Sequence, residues 1–222
     1  MEPGQVLQGQ IEALAGGRIK PGDELLVLGL AGLSGTRELC RKYREKLQNR
    51  FSPAYIRKME APGCEEEIRL RKTEQEKSEE EIRQYILYNK SERETSFPAR
   101  AVFPLREGGI LAGLWILSQA SHVGLSVDLR MIPLKQETIE LCEYLGLNPY
   151  RLSSGGAWLL AAEDGFYVTQ KLKAEGLSCT RIGTAQEGKK KLLYNGQNIQ
   201  YLEKPSAEEL QQLLRQPCPV RK

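Results

Sequence analysis

Histidine is nearly absent from this 222-residue chain: His122 is the only one. A Ser-His-Asp or Cys-His machine would have to use it. It follows an apolar stretch from Gly109 to Ser121. The plainer reading is a helix-end histidine near the carbonyl end of the dipole. The five cysteines, Cys40, Cys64, Cys142, Cys179 and Cys218, are scattered, odd in number and form no C-x-x-C pair. That spacing excludes a disulfide framework and a structural zinc site, and leaves buried, reduced thiols. No apolar run approaches the roughly 20 residues that span a bilayer. Met1-Glu2-Pro3-Gly4 lacks the basic and then apolar order of a signal peptide. A cytoplasmic protein is expected. Charge of one sign is also lacking: 32 basic and 29 acidic residues leave a net +3. Nothing in that balance argues for nucleic acid or a membrane surface as partner.

What is present fits a globular chain. Hydrophobic residues make up 40% and charged residues 27%, enough for a sizeable core. A short helix is expected around Ile11 to Ala15. Pro21-Gly22-Asp23 signals a turn. Glu24 to Leu30 reads as a buried strand, because Leu25, Leu26, Val27 and Leu28 run unbroken. Thr36 to Gln48 reads as a helix with Leu39, Tyr43 and Leu47 on one face. Ser52-Pro53 can start another, since Ser caps and Pro fits the first turn.

The segment at about 64–96 differs. Between residues 65 and 95 it holds ten acidic and seven basic side chains, and Ser78-Glu79-Glu80-Glu81 has a capping-box pattern. A solvated helical insertion is expected, with a partner-docking helix as the alternative. After Pro98 the pattern becomes regular. Strands are expected at Arg100 to Leu105, Gly124 to Leu129, Ala157 to Ala162 and Ser178 to Ala185. Helices are expected at Gly109 to Ser121, Lys135 to Leu145 and Asp164 to Glu175, the last two closed by Gly146 and Gly176. Lys191 to Tyr194 and Gln197 to Leu202 flank Asn195-Gly196, which predicts a hairpin with a type I′ turn. Ser206 to Leu214 closes the chain as a helix, with Glu209 completing a capping box. The order suggests a mixed sheet covered by helices.

Three glycine turns are candidates for binding an anion. Gly32, Ser34, Gly35 and Thr36 lead from a strand into a helix. Gly108 and Gly109 open another helix, and Ser153, Ser154, Gly155 and Gly156 open a strand. Backbone N–H groups at such starts can hold a phosphate or carboxylate. No Walker lysine is present, so the first turn is not a P-loop. The plainer alternative is that glycines permit tight turns and close packing. No metal cluster stands out, and Trp115 and Trp158 lie in apolar runs and read as core.

Over residues 102–185 the sequence resembles the AIR synthase-related (PurM-like) C-terminal domain. The resemblance is carried by Glu107-Gly108-Gly109-Ile110, Ala112-Gly113-Leu114-Trp115, Val123-Gly124-Leu125, Leu145-Gly146-Leu147-Asn148-Pro149, Ser153-Ser154-Gly155-Gly156 and Arg181-Ile182-Gly183. Members of the hydrogenase maturation factor HypE type look nearest. The resemblance implies an α+β fold, a three-layer α/β/α unit. It also implies an N-terminal domain that binds ATP and Mg²⁺ on acidic ligands, usually across a dimer. Only about 20 residues precede Pro21, so that half is expected to be missing.

Two local departures matter. The family commonly shows H-D-x-x-E-G-G, whereas this chain has Phe103-Pro104-Leu105-Arg106-Glu107-Gly108-Gly109. A phenyl ring and a proline can neither transfer a proton nor hold a cation. HypE-type factors end in a cysteine that carries a carbamoyl group, whereas here Cys218 is followed by Pro219-Val220-Arg221-Lys222. The expected organisation is an extension at 1–20, one domain at 21–216 with the charged insertion, and a tail at 217–222. The expected function is non-catalytic: homodimerisation, or binding of a partner or small anion. The alternative is the C-terminal subunit of a split ATP-dependent enzyme. No cofactor is expected on the chain itself; ATP and Mg²⁺ would enter only with a separate nucleotide-binding subunit.

Overall fold

The structure, a computed structural model, describes residue 11, residues 17–61 and residues 99–210. The charged insertion, the tail with Cys218 and most of the first expected helix lie outside the described residues. The described elements are β1 (Glu24–Leu28), α1 (Leu33–Lys42), α2 (Arg44–Gln48), α3 (Pro53–Glu60), β2 (Ala99–Pro104), α4 (Gly109–Ser121), β3 (Gly124–Asp128), α5 (Gln136–Leu145), β4 (Trp158–Ala162), α6 (Gly165–Ala174), β5 (Cys179–Gln186), β6 (Lys191–Asn195) and β7 (Asn198–Tyr201). Two 3₁₀ turns, Leu129–Met131 and Pro149–Arg151, connect them.

The seven strands form one mixed sheet in the order β2-β4-β1-β5-β3-β6-β7. Only the β3–β6 pair is parallel; the others are antiparallel. β1 lies near the centre, and its unbroken apolar run is explained by burial on both faces. Leu25 and Val27 face the cluster built on α4, while Leu26 and Leu28 face the cluster built on α6. Nearly every residue of α4 is buried, so it fills one layer. A third cluster, Cys40, Leu47, Ile56, Met59 and Leu141, joins α1, α2, α3 and α5 beside the sheet. The fold is therefore α+β in three layers.

Two local expectations need correction. The helix expected over Thr36–Gln48 is two helices broken at Tyr43, whose φ of −112° and ψ of 22° leave the helical region. The break turns Leu47 into the third cluster and leaves Tyr43 exposed. The hairpin turn is displaced by one residue. Asn195 pairs with Asn198 inside the ladder, so the two loop residues are Gly196 and Gln197. Among these, only Gly196 has positive φ, 64°. That is the type II′ pattern, with Gly at the first central position, rather than type I′.

Caps hold where the sequence placed them. Ser52 Oγ accepts from the Tyr55 N–H at 3.2 Å. Ser206 and Glu209 exchange side-chain-to-backbone bonds of 2.7 and 3.1 Å. His122 caps α4 with φ 57° and is the only non-glycine with positive φ among the described residues.

Candidate functional site

The three glycine turns meet at one end of the sheet. β1 and β2 end there and β4 begins there, with Trp158 paired to both Leu28 and Pro104. The turn after β1 is bound to the turn before β4. Gly32 N–H donates to Ser154 Oγ at 2.8 Å, Gly155 N–H to Ser34 Oγ at 2.8 Å, and Gly35 N–H to the Ser153 carbonyl at 2.9 Å. Ser34 Oγ donates to Ser153 Oγ at 3.1 Å. The third turn joins through Ser154 N–H, which donates to the Arg106 carbonyl at 3.1 Å.

Close approach explains the glycines. A Cβ on Gly109, whose φ is +63°, would lie 2.5 Å from the carbonyl oxygens of both Tyr150 and Leu152. A Cβ on Gly35 would lie 3.0 Å from the Ser153 nitrogen. Gly108 has φ 73° at the start of α4, and Gly156 has φ 89°. Thr36 is buried. Its hydroxyl donates to the Gly32 carbonyl at 2.7 Å and so accepts from Thr138 Oγ1 at 2.8 Å. The cluster therefore unites all three predicted turns. The N–H groups of Gly32, Gly35, Ser154 and Gly155 are engaged by protein acceptors. The N–H groups of Leu33 and Ser34, in the first turn of α1, have no intrahelical acceptor.

At the positions where the resemblance would place His and Asp, Phe103 is packed into the core and Pro104 lies in the β2–β4 ladder. Phe103 is 3% exposed and belongs to the α4-side core. A Cβ on Gly113 of α4 would lie 3.2 Å from its ring, which shows how closely helix and ring pack. Pro104 ends β2 against Trp158. Among the described residues, no three His, Cys, Asp or Glu side chains converge as a metal site would require. The described thiols are poor nucleophiles. Burial pushes Cys142 up to about 11 and Cys179 up to about 12, and Cys40 is raised by burial and by Glu60.

A second concavity was missed by the sequence reading. A cavity of about 580 Å³ lies on the sheet and is lined by Ser126, Asp128, Arg130, Arg181, Thr184 and Tyr194 among others. Arg130 forks onto Asp128 at 3.0 and 2.7 Å. The Arg130 side-chain bonds hold the Asp128 carboxyl below its ordinary range. Arg181 pairs with Glu24, whose other oxygen accepts the Gly165 N–H at 2.8 Å. The signal was available: Ser126 and Asp128 alternate with the buried Leu125 and Val127, which marks a second, more polar face.

Residues 20–194 match the family described as AIR synthase related protein, C-terminal domain. Carbamoyl dehydratase HypE of Rhodobacter capsulatus is 29% identical over 90 residues, 39% of this chain and 26% of that protein. A solved structure of E. coli HypE, a hydrogenase maturation protein, is 21% identical. It aligns over 88% of this chain and 53% of its own, with a TM-score of 0.61. A solved HypE–HypF complex aligns at 17% identity over 85% of this chain and 54% of its own, with a TM-score of 0.58. The chain thus spans about half the length of those structures and about a quarter of the Rhodobacter protein. The match of 20–194 covers most of the 222 residues, together with the three-layer fold, and the chain belongs to the AIR synthase-related C-terminal domain family.

Proposed function

We propose that this chain is a non-catalytic AIR synthase-related domain that works by binding rather than by turning over a substrate. One observation carries the reading: Phe103 and Pro104 occupy the family's His-Asp positions, and Phe103 is buried in the core beneath α4. Neither side chain can exchange a proton or ligate a cation at that place. The fold has kept its three-turn cluster, whose hydrogen bonds hold β1, β2 and β4 together. The first-turn N–H groups of Leu33 and Ser34, which have no intrahelical acceptor, are the donors proposed to meet a small anion or a partner's carboxylate.

A second reading makes the chain one subunit of a split enzyme, completed by a nucleotide-binding chain. Its support is the span of the match, 53% of E. coli HypE, and the solved HypE–HypF complex, in which a relative of this fold sits in a protein assembly. The two readings separate in one experiment. The purified chain is given Mg·ATP alone and then with candidate nucleotide-binding subunits encoded nearby. The first reading expects no nucleotide turnover in either case. Turnover by the isolated chain overturns both, and turnover only in the mixture replaces the first by the second.

A further inference from the structure

The two outer strands of the sheet are protected very differently. β2 carries Arg100 and Pro104, has a register irregularity between Ala99 and Ala101, and is bridged at Ala101 by Gly17. Charge, proline, bulge and cover are the devices that keep a sheet edge from recruiting another strand. β7, the last strand on the other side, reads Asn-Ile-Gln-Tyr. Among the described residues it carries no charge, proline, bulge or covering bridge, and its shortness is the device it does share. Its four residues are all exposed, Ile199 at 61% and Tyr201 at 65%.

The ladder shows what that edge presents. Leu202 N–H donates to the Lys191 carbonyl, and Leu193 lies opposite Gln200 and Asn195 opposite Asn198. Hydrogen-bonded positions alternate along an antiparallel pair. The N–H and C=O groups of Asn198, Gln200 and Leu202 are thus turned toward β6. Those of Ile199 and Tyr201 are turned outward. Leu193 and Leu202 belong to the α4-side core, so the Ile199 and Tyr201 side chains stand on the opposite face, the one that carries Tyr194.

We propose that β7 pairs with β7 of a second copy of this chain, antiparallel, about a two-fold axis through Gln200. A two-fold axis perpendicular to a sheet must place residues of the same face opposite each other, which a centre on Gln200 satisfies. It sets Ile199 opposite Tyr201 of the second copy, and Tyr201 opposite Ile199. These are the residues whose backbone groups face outward, so each pair exchanges both of its hydrogen bonds. The same pairs bring together a β-branched and an aromatic side chain, a favourable cross-strand combination. The contact is self-complementary and closed, as a two-fold interface requires. It deepens the binding reading by naming one partner and uses no residue of the turn cluster. Four backbone bonds and two side-chain pairs make a small interface, in the weak class below about 1,200 Å². A micromolar, concentration-dependent dimer follows.

The test is sedimentation of the full chain from roughly 1 to 500 μM, the range in which an interaction of about −6 to −8 kcal/mol titrates. The expected result is a monomer–dimer transition in that range. Ile199→Lys and Tyr201→Lys each shift it at least tenfold to higher concentration. Phe166→Lys, at an equally exposed apolar residue on α6, leaves it in place. Gln200→Cys gives a disulfide-linked dimer on mild oxidation that the parent chain and Asn198→Cys do not give. A monomer throughout the range, or a dimer that both lysine variants preserve with unchanged melting temperature, overturns the proposal. Nucleotide turnover, measured separately, bears on the non-catalytic reading and not on this one.

Discussion

Phe103, Gly109 and His122 each carry a separate demand of the fold. Phe103→His would restore the residue type common in the family but would bury an imidazole in the apolar layer under α4. The lost packing and unmet polar group should cost roughly 3 kcal/mol, seen as a lower denaturant midpoint. Gly109→Ala puts a Cβ 2.5 Å from two backbone oxygens at positive φ. Backbone cannot step aside as a side chain can, so a loss of about 2 kcal/mol or more is expected. His122→Gly runs the other way. His122 is exposed and holds φ 57°, so glycine should relieve about 1 kcal/mol of strain and raise the melting temperature. The thiols give a pH test. Cys142 is raised from its ordinary 9.0 to about 11 in the folded chain, so the unfolded chain ionises first. The contribution of this thiol to stability is unchanged well below pH 9 and falls as pH rises from 9 toward 11. Cys142→Ser should flatten that part of the unfolding profile.

At the scale of elements, most boundaries were legible because the signals were local. α4 spans Gly109–Ser121, as its apolar run and flanking glycines indicated, and Gly146 closes α5 at φ 67°. The misses came from tertiary packing. Nothing local to Thr36–Gln48 shows that Leu47 must reach Ile56, Met59 and Leu141, so the break at Tyr43 was invisible. The hairpin was legible but its turn was not. Asn195-Gly196 fits a type I′ loop by composition, whereas in the structure Asn195 pairs with Asn198 and Leu193 lies opposite Gln200. Stability measurements can check this. Gly196→Ala should cost about 1 kcal/mol, because its φ is 64°. Asn195→Thr should change stability by less than about 0.5 kcal/mol, since a strand position tolerates threonine. A large loss at Asn195 would restore the type I′ assignment.

At the scale of the whole molecule, the described residues cover the sheet unequally. α4 backs one face, while α6 packs on β1 and β4 and leaves the cavity beside Ser126, Asp128 and Arg181 open. The sequence showed the layers through strand burial patterns. It could not show how three turns, separated by up to about 120 residues, bond to one another at one end of the sheet. That cluster lies within the stretch matched to the AIR synthase-related family, and beside it Phe103 is buried in the core while Pro104 ends β2 opposite Trp158. The most direct measurement is nucleotide turnover by the intact purified chain supplied with Mg·ATP, followed as release of ADP, AMP and phosphate. The predicted result is release no faster than in the protein-free control. Release that scales with chain concentration and is lost in Gly109→Ala would contradict it and return this domain to catalysis.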